Sequence, residues 1–163
     1  IVMKNNFTKK IAVISSFAFI ISFSAYAKNI YVDATAGNDS YSYTTNDVSH
    51  PFKTIQRALD LVLAGDIILV TPGTYKQNLT WKISGTNSSP ITLQKSGSGT
   101  VYVKSADASA VAILNIPHIQ NIIIDGLYFT REAVKNNFQG LQITSSGDAL
   151  GIHIKLSIRI FPG

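Results

Sequence analysis

From Gly65 onward the chain is a succession of short apolar runs, each closed by turn residues, and this pattern limits the fold more than any other feature. The runs are Ile67–Val70, Leu79–Ile83, Ile91–Leu93, Val101–Val103, Val111–Ile116, Ile122–Ile124, Leu127–Phe129, Leu141–Ile143 and Ile152–Ile154. Gly, Asn, Ser, Asp and Pro fill the breaks between them. Several runs alternate: Val101 and Val103 flank Tyr102, Leu141 and Ile143 flank Gln142, Ile152 and Ile154 flank His153. Alternation places one face of a strand in a core and the other in solvent. Many short strands at even spacing fit a sandwich, a barrel or a solenoid. A weak repeat favours the solenoid. The stretches starting at Asn121 and Gly151 share a strand–kink–strand shape 30 residues apart, and Gly140 and Gly151 open similar strands. Turn pairs such as Asn-Gly between long alternating runs, the signal for hairpins, are missing. The expectation is an all-β chain, with a solenoid ahead of a sandwich.

One helix precedes the strands. Phe52, Ile55, Leu59 and Val62 share a helical face, Ser49 or His50 stands where a cap is wanted, and Pro51 suits a first turn. Gly65 is expected to stop the helix as a left-handed C-terminal residue. Before it, Asn29–Val32 reads as a strand and residues 33–51 as loop. A solenoid leaves its core open at each end, and this helix is expected to cover the first end. The alternative is a helix packed on the side of a sheet.

The chain has 163 residues, a formal net charge of +5, 45% hydrophobic and 14% charged residues and no cysteine. That length allows one domain, two at most. The missing cysteine excludes disulfides, Cys-ligated metals and a thiol nucleophile. Residues 3–27 read as a secretory signal peptide: Lys4, Lys9 and Lys10, then an apolar stretch from Ile11 to Phe23, then the small-x-small site Ala25-Tyr26-Ala27. Met3 is the natural start, with residues 1 and 2 upstream of it. The mature chain is expected to span residues 28–163 as one domain. The apolar stretch is short of the ~20 residues that a membrane span needs, so no stable span is expected after cleavage. Removing residues 1–27 leaves 11 basic against 9 acidic side chains, a net of +2. That is too little to point to nucleic acid. The expected location is outside the cell, with the periplasm as the alternative, and a cysteine-free exported chain fits a bacterial protein. Asn38, Asn78 and Asn87 open glycosylation triplets, which in a bacterial chain read as turn residues.

Three segments then stand together: Tyr31-Val32-Asp33 with Gly37-Asn38-Asp39; His50-Pro51-Phe52-Lys53-Thr54-Ile55-Gln56-Arg57-Ala58; and Gly65-Asp66-Ile67-Ile68-Leu69-Val70 with Pro72-Gly73-Thr74-Tyr75. This resembles the N-terminal region of secreted right-handed parallel β-helix proteins of the pectate lyase-like superfamily. The closest flavour is the exopolygalacturonate lyase and chondroitinase B type. The match is good over residues 30–76 and general beyond. Tyr43 and Ala64 depart from it, standing where glycine and proline are usual. The resemblance implies a right-handed parallel β-helix with an N-terminal capping helix. It also implies β-elimination on an acidic polysaccharide of uronic acids such as pectate. That reaction uses Ca²⁺ to neutralise the uronate and a Lys or Arg base. The family's metal and base residues sit on later coils, so no catalytic or metal residue carries over. Leu156 to Gly163 ends with no capping element, and the expectation is a fragment or a truncated product.

The residues that could carry chemistry each have a plainer reading. Asp33 and Asp39 with Asn38 are the nearest approach to an oxygen cluster, and turn and loop chemistry is the favoured reading of them. Asp125 before Gly126 reads as a turn aspartate, and Arg131 with Glu132 as a solvated ion pair. His50, His118 and His153 lack metal-ligand spacing. An outward His153 with Lys155 would suit an acidic sugar, though an ordinary surface strand explains them. Trp81 shares a face with Leu79 and Ile83, which favours core packing over a sugar platform. Gly97-Ser98-Gly99 is a turn, and no nucleophile-elbow motif occurs. The expected function is therefore the N-terminal part of a polysaccharide lyase-like protein, inactive alone. The alternative is a non-catalytic surface β-helix that binds polysaccharide.

Overall fold

The computed structural model describes residues 27–106 and 112–130, together with the backbone of the strands at 139–144 and 154–157. Residues 1–26, Val111, Arg131, Glu132, His153 and residues 158–163 lie outside the described residues.

The chain opens with β1 (Asn29–Val32) and a single helix, α1 (Ile55–Leu61). There follow β2 (Ile67–Val70), β3 (Gly73–Lys76), β4 (Leu79–Thr80), β5 (Ile91–Lys95) and β6 (Val101–Lys104). The last described are β7 (Ala112–Pro117), β8 (Ile122–Asp125), β9 (Leu127–Thr130), β10 (Gln139–Thr144) and β11 (Ile154–Ser157). They form three sheets, ordered β1-β2-β5-β8-β11, β3-β6-β9 and β10-β7-β4. All pairings between these strands are parallel. From β2 on, the chain visits the three sheets in fixed rotation: β2 to β4, β5 to β7, β8 to β10, then β11 back in the first sheet. The expected all-β, parallel architecture is what the chain adopts.

Register produces the core. Ile30, Ile68, Leu93 and Ile124 are successive partners across the five-stranded sheet, and all four are buried. Ile91 pairs with Ile122, Val101 with Leu127, and Leu79 with Leu114, each side chain again buried. Like side chains thus stack in rows, each burial worth about 1.5–3 kcal/mol. Trp81 is fully buried next to Leu79, with its Nε1–H donated to the Ile83 carbonyl at 2.8 Å. The expected core role of Trp81 is the observed one, although the strand there stops at Thr80.

The helix is shorter than its sequence signals indicate. It begins at Ile55 with Thr54 as N-cap, the Thr54 hydroxyl accepting from the Arg57 N–H, and it ends with Val62 as C-cap. Residues 50–52 do not form its first turn, because Phe52 is committed to a parallel bridge with Val32. Phe52 N–H donates to the Tyr31 carbonyl, and Asp33 N–H donates to the Phe52 carbonyl, both at 2.8 Å. Gly65 is not the helix terminator. Its positive φ of 92° belongs to the turn in which Asp66 N–H returns to the Leu63 carbonyl. The predicted face nevertheless holds: Phe52, Ile55, Leu59 and Val62 are all fully buried. The helix packs against β1 and β4, the first strands of two of the sheets. These strands stand at the edges of their sheets, where the apolar face of the helix is buried.

Two details of the repeat are corrected. β8 and β11 pair Ile122 with Ile154, an offset of 32 residues rather than 30. A slip of two preserves in–out alternation, so periodicity could not detect it. The strands near Gly140 and Gly151 are not equivalent, since β10 pairs with β7 in one sheet and β11 with β8 in another.

Candidate functional site

The acidic residues near the N-terminus are consumed by the fold. Asp33 Oδ1 accepts from the N–H groups of Thr35 and Ala36, both at 2.8 Å. The Ala36 N–H holds this carboxyl below the usual aspartate range; partial burial opposes it, and Thr35 and the Thr71 side chain assist. Asp39 Oδ1 accepts from Lys53 N–H at 2.8 Å and Thr54 N–H at 3.0 Å, while Oδ2 accepts from the Thr54 hydroxyl at 2.8 Å. The carboxylate sits where the helix N-terminus favours negative charge. Asn38 Oδ1 accepts from Ser40 N–H at 2.9 Å. Turn and cap chemistry therefore accounts for the hydrogen bonds of all three. Gly37 completes the motif. A Cβ there would stand 2.3 Å from the carbonyl oxygens of both Asp33 and Phe52, so only glycine lets the loop close on β1.

Asp66, fully buried, is a third structural acid. Its Oδ1 accepts from the Lys28 backbone N–H and its Oδ2 from the Leu63 N–H, both at 2.8 Å, and the Tyr43 hydroxyl donates to it at 3.1 Å. Burial, then the charge and hydrogen bond of Asp66, push the Tyr43 hydroxyl up to about 12. The Lys28 ammonium lies 4.9 Å from the Tyr43 ring centroid. The tyrosine that departs from the family pattern is thus wired into the network that anchors β1.

The remaining sequence candidates are dispersed. His50 Nδ1 pairs with Asp47 Oδ1 at 2.9 Å on the exposed loop, and its ring meets Tyr41 edge-on at 5.2 Å. His118 lies in the turn after β7 at a φ of 54°. Asp125 is exposed at the end of β8, beside the kink at Gly126. Lys155 falls in β11, partnered with Ile123. Among the described residues no three His, Asp or Glu side chains converge to hold a metal ion. Asp33 Oδ1 and both Asp39 carboxylate oxygens already accept N–H or O–H donors.

One surface depends on register that no local pattern carries. The sheet β3-β6-β9 turns Tyr75, Val101, Val103 and Leu127 inward. Its outward positions are Thr74, Tyr102 and Tyr128 in one register row and Lys76, Lys104 and Thr130 in the next. Tyr102 is 41% exposed. The Tyr102 and Tyr128 rings lie 5.8 Å apart at 46°. The alternation around Tyr102 was visible in the sequence, but not which tyrosine of the next strand stands beside it.

With the geometry in view, the chain can be compared with known proteins. A model of a protein family of unknown function, DUF1565, matches residues 35–155. The chain belongs to the DUF1565 family. No curated protein sequence matches it. Among solved structures, the DUF1565 chain is similar to the GH136 lacto-N-biosidase from Eubacterium ramulus. In the selenomethionine derivative the TM-score is 0.53 at 17% identity, over 61% of this chain and 20% of that one. In the native crystal it is 0.53 at 16% identity, over 76% and 21%. A rhamnogalacturonan lyase gives 0.51 at 20% identity, over 62% and 28%. At such identities the likeness is one of fold. The DUF1565 chain spans between a fifth and three-tenths of the length of these proteins. Among the described residues, no helix is long and apolar enough to cross a membrane.

Proposed function

We propose that residues 28–163 form the first coils of an exported right-handed parallel β-helix that handles acidic polysaccharide, with uronic acid polymers such as pectate as the substrate class. The observation that carries this reading is the rotation of the chain through three parallel sheets in the order β2-β3-β4, β5-β6-β7, β8-β9-β10. Parallel strands joined by crossovers are right-handed in nearly all folds, and a stack with one end covered by α1 has the anatomy of a solenoid terminus. The fold-level likeness to a lacto-N-biosidase and a rhamnogalacturonan lyase supports a carbohydrate ligand. The uronate polymer follows from the lyase-like N-terminal motif at residues 31–75. Fold alone does not fix activity.

The described coils supply no metal set, so cleavage by β-elimination is assigned to the complete family protein rather than to these residues. Alone, the chain binds and does not turn over. The test is retention of the purified chain on immobilised polygalacturonate and on neutral polysaccharides, with ultraviolet absorbance followed for unsaturated uronate products. Retention on the acidic polymer without product supports the reading. No retention on any polysaccharide sinks it. Unsaturated products from the chain alone, with Ca²⁺, would place the catalytic residues inside it.

A further inference from the structure

We infer that the bond between Ala27 and Lys28 is a processing site that the fold itself closes: a leader peptidase cuts it while β1 is free, and docking of β1 seals it. The inference rests on the export part of the reading above and is independent of the glycan. The sequence places a small-x-small motif, Ala25-Tyr26-Ala27, just before this bond. The structure, through other residues, places the same bond at the entry to the fold.

The leaving side of the bond is engaged. Lys28 N–H donates to Asp66 Oδ1 at 2.8 Å, and the Lys28 carbonyl accepts from Ile67 N–H at 2.9 Å. Asn29 and Ile30 pair with Ile67 and Ile68, and Ile30 is fully buried. The Lys28 ammonium donates to the Tyr43 and Thr44 carbonyls. Asp66 is itself held, since Leu63 N–H and the Tyr43 hydroxyl donate to its second oxygen at 2.8 and 3.1 Å. The acyl side differs. Ala27 is exposed, and its methyl stands beside Gly65, where a Cβ would lie 3.5 Å from it. A peptidase that takes its substrate as an added strand pairs with backbone on both sides of the scissile bond. Here the residues after the bond are already committed to Asp66 and to β2. Hydrolysis adds water across the amide. The C–N bond breaks, Ala27 keeps the new oxygen as a carboxylate, and the Lys28 nitrogen takes up the proton as an α-ammonium. Cutting of the folded chain therefore waits for local opening of residues 28–30, which breaks both hydrogen bonds of Lys28 and exposes Ile30. The order is cut, then dock. A chain that folds first keeps its leader, with the apolar stretch from Ile11 to Phe23 still attached.

The experiment uses the full chain and a purified leader peptidase, with mass spectrometry following the product that begins at Lys28. One sample is folded beforehand, and the other is diluted from denaturant straight into the peptidase. Cutting after Ala27 is expected in both. It is expected to be slower in the folded sample by on the order of a hundredfold or more, because only the open form is cut. Asp66→Asn turns a carboxamide N–H₂ toward the Leu63 N–H or the Lys28 N–H and loosens the anchor. It is expected to speed cutting of the folded chain about tenfold. Should that variant fail to fold, a lysine-specific endopeptidase on the wild type decides the matter. The Lys28–Asn29 bond, inside the sealed stretch, is expected to resist in the folded chain and to yield in the unfolded one. Equal rates in the folded and unfolded samples overturn the seal and leave the processing site standing. A folded Asp66→Asn chain that is cut no faster overturns Asp66 as the anchor. A bond cut in neither sample overturns the processing site and the inference with it, and leaves the glycan reading to its own retention test.

Discussion

The side-chain carboxamide of Asn46 meets both backbone polar groups of Tyr31: its Oδ1 accepts from the Tyr31 N–H at 2.8 Å, and its Nδ2 donates to the Tyr31 carbonyl at 3.0 Å. Tyr31 lies in β1, the edge of the five-stranded sheet, and Asn46 is 1% exposed. An edge strand exposes donors and acceptors that invite another chain. Asn46 fills the place of a missing strand, and the Phe52 backbone continues the edge beside it. Gln56 repeats the device on β4, where its Oε1 accepts from Thr80 N–H at 2.8 Å and its Nε2 donates to the Thr80 carbonyl at 3.1 Å.

Asn46→Ala is therefore expected to destabilise the chain by about 2 kcal/mol, the cost of a buried N–H left without a partner. Asn46→Asp is expected to be worse, because it sets a buried carboxylate against the Tyr31 and His50 carbonyls that Nδ2 now serves. Gln56→Ala, at a less buried site, is expected to cost about 1 kcal/mol. Denaturant midpoints rank the three. Sedimentation shows whether opening either edge lets copies of the chain associate.

Gly37→Ala is expected to cost about 3 kcal/mol or more, since the new methyl meets two backbone carbonyls that cannot move without breaking the β1–Phe52 bridge. Gly97→Ala serves as the comparison. Nothing lies within 4 Å of a Cβ there, and only its φ of 77° resists, at about 1–2 kcal/mol. Equal losses for the two substitutions would mean that backbone conformation, not close approach, is what glycine supplies at residue 37.

The pH dependence follows from Tyr43 and Asp33. Tyr43 ionises at about 12 in the folded chain against 10.0 for a free tyrosine. Between these values the unfolded state has lost a proton that the folded state keeps, so stability falls as pH rises from about 10 towards 12. Asp33 is shifted down, so its contribution is present above the ordinary aspartate value and is lost as pH falls below it. Burial also raises the Tyr75 hydroxyl. Tyrosinate absorbance should show late-titrating groups that Tyr43→Phe reduces, with a smaller alkaline loss of stability in that variant. An unchanged alkaline limb would rule out Tyr43 as its source.

The sequence made the strands legible because period-two burial is local: Val101 and Val103 face inward and Tyr102 outward with no knowledge of their neighbours. The amphipathic face Phe52, Ile55, Leu59 and Val62 was legible for the same reason. What escaped was long-range. Phe52 carries a helical spacing but belongs to a bridge with Val32, a partner twenty residues away that no local rule names. β3 was not among the apolar runs, because Gly73-Thr74-Tyr75-Lys76 holds one inward side chain, Tyr75. The tyrosine and lysine rows depend on register between strands, which alternation leaves free by steps of two. Asp33 and Asp39 could be read as turn residues, yet their donors at Ala36, Lys53 and Thr54 are visible only in the fold.

Trp81 separates core from ligand site in one measurement. It is the chain's one tryptophan, fully buried, with its indole N–H bound to Ile83. Its emission is expected to be blue-shifted, poorly quenched by acrylamide, and unmoved by oligogalacturonate at concentrations that saturate binding. Trp81→Ala is expected to lose about 3–5 kcal/mol through the cavity it leaves. A glycan-dependent change in emission would place the binding surface in the neighbourhood of β4.

Lys28 stands immediately before β1. Its backbone N–H lies 2.8 Å from the buried Asp66 Oδ1. If export removes residues up to Ala27, that N–H becomes an α-ammonium against the same carboxylate oxygen, and a hydrogen bond with one charged partner becomes an ion pair with two. Processing would then stabilise the fold that it releases. The chain starting at Lys28 is expected to be more stable than its Nα-acetylated form by about 1–2 kcal/mol. Asp66→Asn, which keeps an acceptor but no charge, should shrink that difference. Exported protein is expected to begin at Lys28 by mass spectrometry. A different first residue, or equal melting of the free and acetylated chains, would separate the two events.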